Sequence, residues 1–246
     1  MKAVLFDLGG TLVQYYDRSQ IPQVLEEAIT AVQDYLRQRG LLRVSPEEIW
    51  QGVTKENHEA SDYCVRPLEG RLGRIFRLAE DASSSALLEA MCRRFVEPIF
   101  KRARRYDDTL PVLQRFCSAG YKIAIVSNTA WGSPAPLWQK EIARHGLDRL
   151  VDTAVFCRHI GWRKPAPQIF AHTLEKLRVR PEACLFVGDD PRWDFFGPGE
   201  VGIPAVLLDR RGTMQDVTDK RVQDLYEFWD RLQTGESGQG RRRRDK

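Results

Sequence analysis

The sequence predicts a doubly wound α/β fold, a parallel sheet with helices on both faces, and three observations lead there. Five short β-type runs are almost continuously apolar, helical patterns lie between the last four, and a long helical stretch separates the first run from the second. The runs are Ala3–Phe6, Lys122–Val126, Thr153–Phe156, Ala183–Val187 and Ala205–Leu208. Parallel strands covered on both sides carry such runs because neither face meets water.

Taken in order, the first strand, Ala3–Phe6, ends on Asp7. Ile21, Val24, Leu25, Ala28, Ile29, Val32, Tyr35 and Leu36 then mark one face of a helix that ends near Gly40. Ser45-Pro46-Glu47-Glu48 is a capping box and opens a second helix. A third helical pattern runs from about Ser85 through Phe95 and Phe100, with a kink expected at Pro98. This all-helical block is too long for a simple crossover and reads as an inserted cap domain over residues 17–104, leaving 1–16 and 105–233 as the core. Ligands of α/β sheets bind at the carboxyl ends of the strands, where such an insert would sit as a lid. In the second half, Ser133-Pro134 supplies an N-cap and a first-turn proline for a helix stopping at Gly146. Another helix follows Pro167 through Ile169, Phe170, Leu174 and Leu177. Val222, Leu225, Tyr226, Trp229 and Leu232 give an amphipathic C-terminal helix that packs on the sheet.

Composition narrows the function. A chain of 246 residues that is 42% hydrophobic and 29% charged has ample material for a buried core. Mean hydropathy of −0.44, with no apolar run near twenty residues, excludes a helical membrane span. The N-terminal apolar run of Ala3–Phe6 is too short for a signal or transit peptide, so the expected location is cytoplasmic. The net charge of +4 is concentrated in a tail, 234–246, that holds Arg241, Arg242, Arg243, Arg244 and Lys246 against Glu236 and Asp245. That tail reads as disordered, and the rest of the chain has no basic field to recruit specific nucleic acid. Five cysteines, at 64, 92, 117, 157 and 184, show no C-x-x-C spacing and are expected to be reduced thiols, neither disulfides nor zinc ligands.

Four polar motifs fall at strand ends or a helix start: Asp7-Leu8-Gly9-Gly10-Thr11, Ser127-Asn128, Lys164-Pro165, and Gly188-Asp189-Asp190-Pro191-Arg192-Trp193-Asp194. In a parallel sheet these ends converge on one edge, gathering carboxylates, a hydroxyl and an ammonium around one point. In this order the set resembles the four motifs of the haloacid dehalogenase superfamily, whose core is a Rossmann-like three-layer fold with a helical cap after the first motif. The resemblance implies a hydrolase in which Asp7 is the nucleophile and forms an aspartyl-phosphate. It implies Mg²⁺ held by Asp7, the Gly9 carbonyl and Asp189, with Asp194 ligating or orienting a bound water. Ser127 and Lys164 would act on the phosphoryl group, and the N–H groups of Gly9, Gly10 and Asn128 would cradle its oxygens. The implied partner is a small phosphate ester. A plain capping role for Ser127 and Asn128 is the competing reading.

One position departs from the phosphatase pattern. The acid that most such phosphatases carry two residues after the nucleophile is Gly9 here, and losing a general acid–base typically costs about 10²–10⁴ in rate. Three alternatives stand beside the phosphatase. A 2-haloacid-dehalogenase-like hydrolase also lacks this acid, but retention of Asp189 argues against it. Carbon–phosphorus hydrolysis would use a cap lysine, which Lys55 loosely resembles. A phosphate-binding member of low activity is the last. Trp131, Trp162 and Trp193 are expected to frame the site, and His58, His145, His159 and His172 share no spacing.

Overall fold

The computed structural model describes residues 1–78 and 84–234. The expected basic tail therefore lies outside the described residues apart from Thr234. Six parallel strands form the main sheet in the order β5-β4-β1-β6-β7-β8. These are β1 (Ala3–Phe6), β4 (Lys122–Ser127), β5 (Thr153–Phe156), β6 (Cys184–Gly188), β7 (Ala205–Leu208) and β8 (Arg221–Val222). All five expected strands are present, two of them shifted or extended by one residue. The sixth, β8, contains Val222, which the sequence pattern had assigned to the last helix. Two residues are too few to show a period.

β1 lies in the middle, paired with β4 through Ala3↔Lys122 and with β6 through Ala3↔Cys184. The chain builds outward to β5 on one side, then crosses back to build β6, β7 and β8 on the other. The crevice at such a reversal is where open α/β sheets bind ligands. Alternation along β1 divides the core. Val4 and Phe6 face one layer, and Ala3 and Leu5 face the other. The first layer contains α5 (Thr109–Ser118), α6 (Ala135–Arg144) and α10 (Leu225–Thr234); the second contains α8 (Pro167–Leu177). On the first face Phe6, Phe116 and Phe228 meet with ring centroids 5.7–6.3 Å apart. The buried face of α10 is Leu225 and Phe228, whereas Tyr226 is exposed.

Before α5, the described residues of the long segment after β1 make four α-helices, α1 (Ile21–Gln38), α2 (Pro46–Glu56), α3 (Leu68–Ile75) and α4 (Ser85–Arg102). α1 buries Val24, Ala28, Ile29, Val32 and Leu36, and α4 buries Met91, Cys92, Phe95, Val96 and Ile99. The capping box of α2 is formed: Glu48 N donates to Ser45 Oγ at 3.3 Å and Ser45 N to Glu48 Oε2 at 2.8 Å. Helix α3 was not expected; it is only eight residues long and one of its buried positions is Arg71, which breaks the apolar pattern. A two-residue antiparallel ladder, β2 (Val13–Gln14) with β3 (Arg104–Arg105), stitches the outgoing and returning chains together. The insert read as 17–104 begins just past β2 and ends on β3.

One local expectation is corrected. Ser133 does not cap α6. The helix starts at Ala135, and Ser133 Oγ instead accepts a hydrogen bond from Trp138 Nε1 at 2.8 Å. A buried indole N–H left without an acceptor is costly, so the hydroxyl serves it. Cys64, Cys92, Cys117, Cys157 and Cys184 are free, with Cys92, Cys157 and Cys184 buried. Among the described residues no helix is long and apolar enough to cross a membrane.

Candidate active site

The four motifs meet at the carboxyl ends of β1, β4 and β6, on the floor of a cavity of about 1130 Å³ roofed by the helical insert. Asp7 follows β1 directly, and its N–H continues the ladder by donating to the Val187 carbonyl at 2.9 Å. Ser127, the last residue of β4, donates from Oγ to Asp7 Oδ1 at 3.0 Å. Lys164 Nζ donates to the same oxygen at 2.6 Å and to Asp194 Oδ1 at 2.6 Å. Oδ2 of Asp7 is thus the oxygen that neither donor engages. The capping alternative for Ser127 and Asn128 is set aside, because the turn that follows, Ala130–Gly132, has Thr129 at its cap position and no side-chain cap.

Lys164 is only 1% exposed. Burial works against its charge, but Asp194 and Asp7 more than reverse this and hold it firmly protonated. Asn128 positions it: Lys164 N donates to Asn128 Oδ1 at 2.8 Å, and Asn128 Nδ2 donates to the Lys164 carbonyl at 3.2 Å. The side chain of Asn128 therefore pins the lysine loop across the gap between β4 and α8.

Asp189 follows β6, and Asp194 lies in the π-helical turn Pro191–Phe196 behind it. Asp190 caps that turn, accepting from the N–H groups of Arg192 at 2.9 Å and Trp193 at 3.0 Å, and its own N–H donates to Asp194 Oδ2 at 3.0 Å. Carboxylate oxygens of Asp7, Asp189 and Asp194 all lie within 4.8 Å of one another. Burial, then the charges of Asp7 and Asp194, push the Asp189 carboxyl well above its ordinary range. Burial likewise raises that of Asp194, against the pull of Lys164. Of these three carboxylates only Asp7 and Asp194 pair with Lys164. That excess of negative charge on hard oxygen donors suits a divalent cation.

The glycines divide between tolerance and necessity. Gly10 has φ +83°, and a Cβ there would lie 2.3 Å from Asp189 Oδ2, so only glycine lets Asp189 approach the turn. The N–H of Gly10 donates to the Val13 carbonyl at 2.9 Å. Its expected part in an oxygen cradle is therefore corrected: the turn itself uses that donor. A Cβ on Gly9 would meet nothing nearer than Tyr15 Cδ2 at 3.4 Å, an ordinary contact. The backbone at position 9 therefore leaves room for a β-carbon.

Trp131 and Trp193 line the cavity, as expected of framing residues, and so does His58; Trp162, expected beside them, is not among the lining residues and instead forms an isolated antiparallel bridge with Cys64. Lys55 does not; it is exposed on the last turn of α2. That removes the geometric support for a cap-lysine route to carbon–phosphorus cleavage. Sequence reasoning missed Tyr15, Arg66, Arg71 and Arg210, which also line the cavity. Their positions carry no motif, and only long-range packing places them there. A second hollow of about 990 Å³, between α1, α4 and α6, contains none of the strand-end carboxylates.

A parallel α/β core with a buried Asp–Lys–Ser constellation under an inserted helical cap defines a capped α/β hydrolase. The chain belongs to the haloacid dehalogenase-like hydrolases, whose family pattern matches residues 1–197. It is 28% identical over 228 residues to a glyceraldehyde 3-phosphate phosphatase of Methanopyrus kandleri, covering 93% of this chain and 92% of that one. In fold it resembles a HAD phosphatase from Thermococcus onnurineus (TM-score 0.66, 24% identity, covering 94% of this chain and 98% of that one). It also resembles a 2-haloacid dehalogenase from Pseudomonas syringae pv. Tomato DC3000 (TM-score 0.69, 20% identity, covering 96% and 99%).

Proposed function

We propose that this chain is a magnesium-dependent phosphatase of a small phosphorylated metabolite, working through an aspartyl-phosphate at Asp7. The observation that carries this reading is the cluster of Asp7, Asp189 and Asp194 carboxylates, two of which, Asp7 and Asp194, pair with the buried ammonium of Lys164. The phosphatase relative, matched over 93% of this chain, supports the substrate class. Asp7, the Gly9 carbonyl and Asp189, with Asp194 beside them, would hold Mg²⁺, which supplies positive charge where the phosphoryl oxygens gather. Asp7 attacks phosphorus as a carboxylate, the ester P–O bond breaks with its electron pair on the leaving oxygen, and that oxygen takes its proton from solvent water to depart as the alcohol, since Gly9 supplies none. Ser127 and Lys164 hold Asp7 oriented before attack and stabilise charge on the transferring group. Water then attacks the aspartyl-phosphate, releasing phosphate and restoring the carboxylate.

The test against a haloacid dehalogenase is metal removal. Phosphate-ester turnover should be abolished in EDTA and restored by Mg²⁺, with no halide released from 2-haloacids in either condition. Halide release that persists in EDTA would instead make this a dehalogenase, with Asp189 positioning water.

Gly9 shapes the expected kinetics. With no acid–base at that position, an alcohol that departs only when protonated should leave slowly, and so should the phosphoryl group on Asp7. An activated aryl or acyl phosphate bypasses the first difficulty but not the second. Such substrates should show a burst of one equivalent of leaving group, then slow turnover, with phosphorylated Asp7 trappable by acid quench. Gly9→Asp should quicken the slow phase by up to about 10²-fold, the low end of general acid–base contributions. Fast alkyl-phosphate turnover without a burst would show that another group already moves the proton.

A further inference from the structure

The cap side of the cavity holds a charge imbalance that the chemistry at Asp7 does not use. Glu56, at the end of α2, is 7% exposed and faces three guanidinium groups. Arg74 engages it through Nε at 2.6 Å and Nη2 at 3.0 Å, and Arg66 through Nη2. Arg71 reaches it only at 3.9 Å, beyond hydrogen-bond range. The guanidinium of Arg71 instead donates to the main-chain carbonyls of Glu56 and, at 3.3 Å, of Trp131, and stacks 3.9 Å from the Trp131 ring centroid. Its Nε is buried without a partner, although the residue is only 6% exposed. Burial first, then the neighbouring Arg66, push its pKa down to about 10 despite Glu56.

Arg74 is 58% exposed and solvent screens it, so the buried part of the corner is Arg71 and Arg66 facing the one carboxylate of Glu56, an excess of one positive charge. Buried charges normally come paired, and an unpaired guanidinium is costly. Arg71 and Arg66 line the same cavity as Asp7, Ser127 and Lys164, whereas Arg74 does not. His58 Nε2 lies 2.9 Å from Arg66 Nη1 and adds no negative charge. Arg163, nearby on the core, is already paired with Glu59 at 2.9 Å. Planar forks of this kind match carboxylate or phosphate oxygens.

We propose that the Arg71–Arg66 corner, backed by the face of Trp131, is a second anion subsite for a carboxylate or second phosphate at the far end of the substrate. This rests on the phosphatase reading, which places the transferable phosphoryl group at Asp7. The substrate is then a phosphomonoester with an anionic group at its other end. Apolar cavity residues such as Val24, Leu25, Phe95 and Ile99 suit the short carbon chain between the two.

The experiment compares kcat/KM, with Mg²⁺, for ω-phosphoryloxy carboxylates of two to five carbons and for alkyl phosphates of matched length. The native chain should prefer the carboxylate series at least tenfold at one chain length. Arg71→Met should collapse that ratio to within about threefold, chiefly through KM. Arg71→Lys, which keeps the charge but loses the fork, should fall between. Should Arg71→Met not fold, as judged by its melting curve, Arg71→Lys decides: an unchanged ratio overturns the subsite. Equal native turnover of both series, or a ratio that Arg71→Met leaves intact, makes Arg71 a strut between cap and core; the phosphatase reading then still stands. Turnover of neither series overturns both.

Discussion

Asp7→Asn is expected to abolish turnover, on the order of 10⁴-fold or more, while the protein stays folded. An amide oxygen cannot form the phosphoryl bond, and loss of a nucleophile that acts with its neighbours removes most of the chemistry at once. Stability should survive for reasons visible around Lys164. The amide is nearly isosteric and its oxygen still accepts from Ser127 Oγ and Lys164 Nζ, whose distances to Asp7 Oδ1 are 3.0 and 2.6 Å. Lys164 keeps Asp194 as its ion-pair partner. One charge also leaves a crowded group of three carboxylates. Activity on the best phosphate ester and the melting temperature, measured on the same preparation, check this. Activity within tenfold of the native chain would remove Asp7 as the nucleophile.

Lys164→Met should damage both activity and stability. Without the ammonium, Asp7 and Asp194 are left as buried carboxylates facing each other and Asp189. Breaking a buried ion pair from one side typically costs about 3–5 kcal/mol, a melting-temperature loss on the order of 10 °C for a chain of this size. The pH dependence has a definite sign. Burial already raises the Asp194 carboxyl above its unfolded value, and removing Lys164 pushes it further the same way. The folded variant therefore takes up protons more readily than the unfolded chain. Its deficit should be largest at high pH and shrink as pH falls towards and through the raised value. Millimolar Mg²⁺ should recover part of the stability, since it supplies positive charge to the same carboxylates. Turnover should stay at least about 10²-fold down, because the fixed donor to Asp7 is gone. Melting curves across pH, with and without Mg²⁺, test this; a deficit that grows on acidification would mean Lys164 does not offset these carboxylates.

Much of this was legible in the chain. The apolar runs gave the sheet, because a strand buried on both faces has no polar positions to hide it. The long spacing from Asp7 to Ser127 located the insert. The order of the four motifs gathered Asp7, Ser127, Lys164, Asp189 and Asp194, and the structure brings those side chains together. Gly9 was readable as a missing acid because position within a motif is local information.

What the sequence by itself determined is what local pattern carries: strand and helix periods, the caps at Ser45 and Glu48, and which residue types stand at strand ends. Tertiary structure alone decided who meets whom. It set Gly10 against Asp189, gave Ser133 to Trp138 and not to a helix end, and spent the side chain of Asn128 on the backbone of Lys164. It also paired β2 with β3 and added β8, each strand only two residues long. It buried Arg71 between Glu56 and Trp131, residues 15 and 60 positions away in the chain. The physical reason is the same throughout. A period records which face of an element avoids water, but an interaction between distant segments leaves no period, and its partners become known only when packing closes the chain upon itself.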